Sequence, residues 1–132
     1  MVFSVNATAL VSNVSNVHFE GIIVWYSQGS GMVSTGDNIT IVRCSSSHHG
    51  AIGIFLTCSG NTIKDSVVHD VGCAGMSVQS EDRPTLTPGN TMIQGNTLHD
   101  FSLWKRMYQP GIDFSTYTSN LHKRFGLWVS PV

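Results

Sequence analysis

The sequence predicts an all-β solenoid in which short parallel strands stack coil upon coil. The first observation behind this is a repeat. Phe19, Ile41 and Ile63 are 22 residues apart, as are Val24, Ser46 and Val68, and Gly31, Gly53 and Gly75. Each of those glycines precedes a large apolar residue, Met32, Ile54 or Met76, and a further copy with insertions follows at Ile93, Asn96, Leu98 and Gly111-Ile112. A fixed period of about 20 to 50 residues marks a repeat architecture. The second observation is that no long stretch carries the apolar period of about 3.6 residues that an amphipathic helix requires. The third is the residue at each start. Asn16, Asn38, Asn61 and Asn90 open successive repeats, and Asn tolerates the left-handed backbone of tight turns.

The elements follow in order. Residues 1–15 alternate apolar and polar side chains and read as a lead-in strand. Coils are expected at 16–37, 38–60, 61–89 and 90–119, with residues 120–132 as a C-terminal tail. Each coil offers two β-type runs, one around Ile41 to Ser46 and one after the Gly-apolar pair. Equivalent strands stack at about 4.8 Å, so like positions form columns. Phe19/Ile41/Ile63/Ile93, Met32/Ile54/Met76/Ile112 and Ser34/Leu56/Val78/Phe114 are the expected inward columns. Cys44, Ser66 and Asn96 form a fourth, best read as a hydrogen-bonded polar ladder, because buried amides need partners. One coil cannot bury its own face, so stability sums over neighbours and the ends need covering. Open ends would expose strand edges, which makes self-association a candidate partner interaction.

Composition narrows the function. The chain is 41% hydrophobic and only 11% charged, which suits one folded domain rather than disorder. Seven Lys+Arg against eight Asp+Glu give a net charge of −1, so no basic field is present to attract nucleic acid. No run approaches the ~18 apolar residues of a membrane helix. The first residues carry no signal-peptide pattern. Cys44, Cys58 and Cys73 lack metal-ligand spacing and read as structural. Asn6, Asn13 and Asn38 head N-x-S/T sequons that matter only in a secretory pathway.

The block GMSVQSEDRPTLTPGNTMIQGNTLHDFSLWKRMYQPGI, Gly75 to Ile112, carries a resemblance. Asp82-Arg83, Thr85-Leu86-Thr87-Pro88, His99-Asp100-Phe101, Tyr108 and Pro110 match a pattern of large right-handed parallel β-helix proteins of pectate-lyase-like architecture. Ser80-Glu81 stands where that pattern has two glycines. The resemblance covers about Asn6 to Ile112. It implies a right-handed parallel β-helix of about four or five coils, secreted or on the cell surface, that processes polysaccharide. It also implies a truncated piece of a longer solenoid, because the residues from Asp113 on depart from the family's next coil.

The candidate chemistry sits where the period breaks. The step from Ile63 to Ile93 is 30, and that from Gly75 to Gly111 is 36. The two insertions, SEDRPTLTPG and SLWKRMYQ, lie in adjacent coils and are expected to project near each other. Loops on a rigid scaffold are where binding residues concentrate. Trp104, Arg106 and Tyr108 are candidate substrate contacts, since a sugar face stacks on an aromatic ring. Gln79 and Ser77 join them on an outward stripe that ends at Asp113. A glycosidase needs two carboxylates about 5 to 9.5 Å apart, which Asp113 with Asp82 or Glu81 would supply. A lyase needs a base of shifted pKa, for which Lys105, Arg83 and Arg106 are candidates. His69-Asp70 and His99-Asp100 recur in register and serve a turn, an acid–base role or a metal. His48-His49 lies one coil earlier, on opposite strand faces. No cofactor is required by these residues, and a divalent cation such as calcium stays open. The expected ligand is a polysaccharide or other glycan, bound by a hydrolase, a lyase or a non-catalytic β-helix.

Overall fold

The computed structural model describes residues 7–79, 90–105, 107, 110–114, 122–124 and 128–131, and every one of its elements is a short β-strand. Strand β1 (Ala7–Ser12) leads into the first coil, which holds β2 (His18–Glu20), β3 (Ile23–Ser27) and β4 (Ser30–Thr35). The second coil holds β5 (Thr40–Val42), β6 (Ser45–His49) and β7 (Ile54–Thr57). The third holds β8 (Thr62–Lys64), β9 (Val67–Val71) and β10 (Met76–Gln79), and the fourth β11 (Met92–Gln94), β12 (Thr97–Phe101) and β13 (Ile112–Phe114). Strands β14 (His122–Arg124) and β15 (Trp128–Pro131) follow.

All pairings are parallel and build three five-stranded sheets. Sheet A runs β1-β4-β7-β10-β13, sheet B β14-β11-β8-β5-β2, and sheet C β15-β12-β9-β6-β3. The chain therefore winds from sheet B to C to A in every coil, which makes the fold a parallel β-helix. The register is the sequence period itself: Ile41 pairs with Phe19 and Ile63, and Ile54 with Met32 and Met76.

Three strands per coil replace the two runs expected from the sequence. The first run is broken by one left-handed residue at the corner between sheets B and C. That residue is Gly21 (φ 67°), Arg43 (φ 50°), Asp65 (φ 50°) or Gly95 (φ 64°). Arg and Asp carry no glycine signal, so the bend was hidden in half of the coils. The C-terminal segment also departs from expectation. Residues 122–124 and 128–131 are not a tail but strands paired with β11 and β12, Met92 with His122 and Leu98 with Val129. The step from Met92 to His122 is 30, the same as from Thr62 to Met92, so the lengthened period recurs.

The core is the set of inward columns. Ile41, Ile54, Leu56, Ile63, Met76, Val78 and Leu98 are all at most 1% exposed. Such burial contributes about 1.5 to 3 kcal/mol for each large aliphatic side chain. The expected polar ladder is present. Ser66 N–H donates to Asn96 Oδ1 (2.9 Å), Cys44 N–H donates to Ser66 Oγ (3.2 Å), and Asn96 Nδ2 donates to the Ile63 carbonyl (3.0 Å). A second buried amide, Asn61, accepts from Ile39 N–H at 2.9 Å and donates to Thr57 and Cys58 carbonyls. Gly31, Gly53 and Gly75 stand at the start of the sheet A strands, each close to the backbone of the next coil. A Cβ on Gly53 would lie 2.7 Å from the Gly75 carbonyl oxygen, and one on Gly75 2.7 Å from that of Gly111.

Candidate functional site

Among the described residues, the corner between sheets C and A gathers a column of rings. The fourth residue of each of the first four sheet C strands turns the chain in the left-handed conformation: Tyr26 (φ 60°), His48 (φ 59°), Asp70 (φ 52°) and Asp100 (φ 51°). Because this residue turns outward at the same register in every coil, its side chain and that of its neighbour form a column. The Trp25 and Tyr26 rings lie 5.3 Å apart, Tyr26 and His48 4.8 Å, His48 and His69 5.8 Å, and His69 and His99 4.8 Å. The last two are stacked within 4° of parallel, at the coil spacing expected for them from the sequence.

Asp70 and Asp100 do more than turn the chain. His69 Nδ1 lies 2.6 Å from Asp70 Oδ2, and His99 Nδ1 lies 2.9 Å from Asp100 Oδ2. A carboxylate only accepts, so each Nδ1 carries its proton. In His69 Nε2 is thereby left as the basic nitrogen. His48 Nε2 stands 3.8 Å from the same Asp70 oxygen. This grouping supports acid–base chemistry geometrically. Among the described residues no group of three or more His, Cys, Asp or Glu is placed to hold a metal ion.

Beside the column lies a cavity of about 580 Å³. Ser27 and Gln28 of the first coil, His48, His49 and Gly50 of the second, Asp70 of the third, and Leu103 and Trp104 of the fourth line it. The insertion after β12 closes it. Its backbone is pinned to the coil before, through Leu103 N–H to the Val71 carbonyl (3.2 Å) and Trp104 and Lys105 N–H to the Gly72 carbonyl (3.0 Å each). The indole lies over Gly72, where a Cβ would come 2.6 Å from Trp104 Cδ1. Trp104 is nonetheless 81% exposed, so its face is open to a ligand.

His49 faces the other way, into the core, and is 2% exposed. Its Nδ1 meets Ser27 Oγ at 2.9 Å, and Nε2 has no hydrogen-bond partner. Burial, opposed by the Val24 carbonyl and reinforced by His48 and His69, lowers its pKa from 6.5 to about 4. The unfolded chain therefore takes up a proton that the folded chain refuses between those values. Stability is full above pH 6.5 and falls as pH drops toward 4, by roughly 2 kcal/mol once screening through the adjoining cavity is allowed for. Urea unfolding at pH 7.5 and pH 4.5 measures this loss, and His49→Gln is expected to shrink it. An unchanged loss in the variant would remove His49 as its source.

The sequence-derived candidates fare unevenly. Trp104 and Lys105 are exposed on the pinned insertion, and Trp104 meets His48 and Asp70 rather than Asp113. Asp113 is half-buried on β13, and Gln79 is exposed at the end of β10. Ser77 was expected to face a groove but is 2% exposed, a short side chain between Phe55 and Asp113 at one register. Glu81, Asp82, Arg83, Arg106 and Tyr108 lie outside the described residues. The two insertions do not spring from one edge: the first follows β10 at the corner of sheets A and B, the second follows β12 at the corner of sheets C and A. Their roots are separated by the length of a sheet A strand. Tyr26 escaped the sequence reading, although it stands 22 residues before His48.

The winding, the parallel sheets and the columns define a solenoid of the β-helix class. Residues 4–124 match the family described as the right handed beta helix region, and the chain belongs to that family. The β-helix is accordingly right-handed. Comparison with curated proteins and with solved structures gives no match.

Proposed function

We propose that this β-helix is carbohydrate-active and holds an extended glycan along the corner between sheets C and A. One observation carries the reading: an exposed indole, Trp104, is fixed over Gly72 at the mouth of a four-coil cavity that also holds polar groups of His48 and Asp70. Sugars stack an apolar face on such a ring while their hydroxyls meet nearby polar atoms, and binding sites of this kind are concave with a few placed polar groups. Retention of the protein on polysaccharide-containing native gels tests it. Trp104→Ala is expected to weaken retention about tenfold, equivalent to about 1.4 kcal/mol, while leaving the thermal midpoint within a few degrees. Equal retention of variant and parent would reject the site.

A catalytic version of this reading is favoured by the His69–Asp70 couple, in which Asp70 holds the Nδ1 proton and leaves Nε2 as the basic nitrogen. Hydrolase and lyase differ in product. A screen of uronate-containing and neutral polysaccharides separates them through new reducing ends alone or reducing ends with ultraviolet absorbance. In either case Asp70→Asn is expected to cut turnover about 100-fold or more, the usual worth of an acid–base group. If instead turnover depends on Asp113 and is unaltered by Asp70→Asn, the reaction belongs on sheet A. Glu81, Asp82 and Arg83 would then be its next candidates. A folded protein that binds glycan and turns none over is the non-catalytic alternative.

A further inference from the structure

We infer that the corner site selects an uncharged glycan chain and aligns it with the solenoid axis; this rests on the carbohydrate reading above. The alignment follows from the lining. Gln28, His48, Asp70 and Trp104 come one from each coil, so the cavity crosses coils instead of following one strand. Three coil steps of about 4.8 Å give it a length of about 14 Å. The ring column extends the same direction. Tyr26, 44% exposed, stacks near His48 on the first coil, and Trp104 lies at the far end.

The selection follows from charge. Asp70 is the one charged side chain among the described lining residues, and it is an acid. Asp100 repeats it one coil on, with a side chain 45% exposed. No Lys or Arg is among the described residues that line the cavity. With neutral histidines, the described lining residues hold no cation to balance a uronate chain's carboxylates brought against Asp70, and unpaired like charges reject a ligand. Hydroxyls donating to Asp70 and accepting from His48 avoid that cost. Flat sugars with equatorial substituents would present apolar faces to Tyr26 and Trp104.

Isothermal titration with cellotetraose, N-acetylchitotetraose and tetragalacturonate tests this on the full chain. A neutral tetrasaccharide is expected to bind at least tenfold tighter than tetragalacturonate. Affinity should rise from di- to tetrasaccharide and then level off. Tyr26→Ala and Trp104→Ala should each weaken neutral binding several-fold. Asp70→Asn should narrow the gap by tightening tetragalacturonate. Preference for tetragalacturonate, or neutral binding indifferent to Tyr26→Ala, overturns this inference and leaves the carbohydrate reading standing. Binding of none of the three overturns both.

Discussion

Gly75→Ala is expected to lower the stability of the β-helix by about 3 kcal/mol, close to the upper range for overpacking a core. The added Cβ would stand 2.7 Å from the Gly111 carbonyl oxygen and would also meet the Leu98 side chain. The side chain could shift, but the carbonyl cannot. It accepts the Met76 N–H at 2.9 Å, which joins the third and fourth coils. The neighbouring positions share the constraint, since a Cβ on Gly31 would come 2.6 Å from the Gly53 carbonyl oxygen. Gly21 is the control. A Cβ there meets nothing within 4 Å, so Gly21→Ala costs only the left-handed backbone, about 1 to 2 kcal/mol. Thermal and denaturant unfolding of the two variants measures the contrast. Equal losses would mean that the coils move apart to admit the methyl group, and that close coil spacing does not select glycine in this column.

Asn96→Leu is expected to cost about 3 to 4 kcal/mol although it exchanges a polar core residue for an apolar one of similar size. Asn96 is fully buried. Its Oδ1 accepts from Ser66 N–H and its Nδ2 donates to the Ile63 carbonyl. Leucine would leave both backbone groups without partners in a dry interior, and each such group costs about 1 to 3 kcal/mol. Both groups lie at the corner of sheets B and C, where the left-handed turn interrupts the strand ladder and side chains must complete it. A measured loss below about 1 kcal/mol would show that the corner relaxes to find other partners, and that the ladder is not what holds the coils together there.

Much of this architecture could be read from the residues. The 22-residue step placed Phe19, Ile41 and Ile63 in one column, and pairing in the structure reproduces it. The lengthened step of 30 placed His69 over His99, and their rings stack at 4.8 Å. Two features were not legible. The third strand of each coil depends on a left-handed residue that is Arg43 in one coil and Asp65 in the next. A non-glycine residue there is held by the coils above and below, so its identity does not announce the bend. Strands β14 and β15 were hidden because their registers follow steps of 30 and 31 while local composition changes.

The candidate site divides in the same way. Sequence by itself determined that Trp104 stands on an insertion, that His69-Asp70 and His99-Asp100 repeat in register, and that stacked coils bring such repeats within contact. Those conclusions need only a period, because parallel stacking converts equal spacing in the chain into adjacency in space. Only the tertiary structure decided which corner each insertion leaves from. That depends on where the chain turns between sheets, which is set by packing of whole coils. The insertion after β12 therefore folds back onto Gly72 and faces the histidine column, not Asp113. Burial was likewise decided by three dimensions. Ser77 and His49 are ordinary polar residues in the sequence, and neighbouring coils cover both, leaving His49 without a partner at Nε2 and reluctant to take a proton.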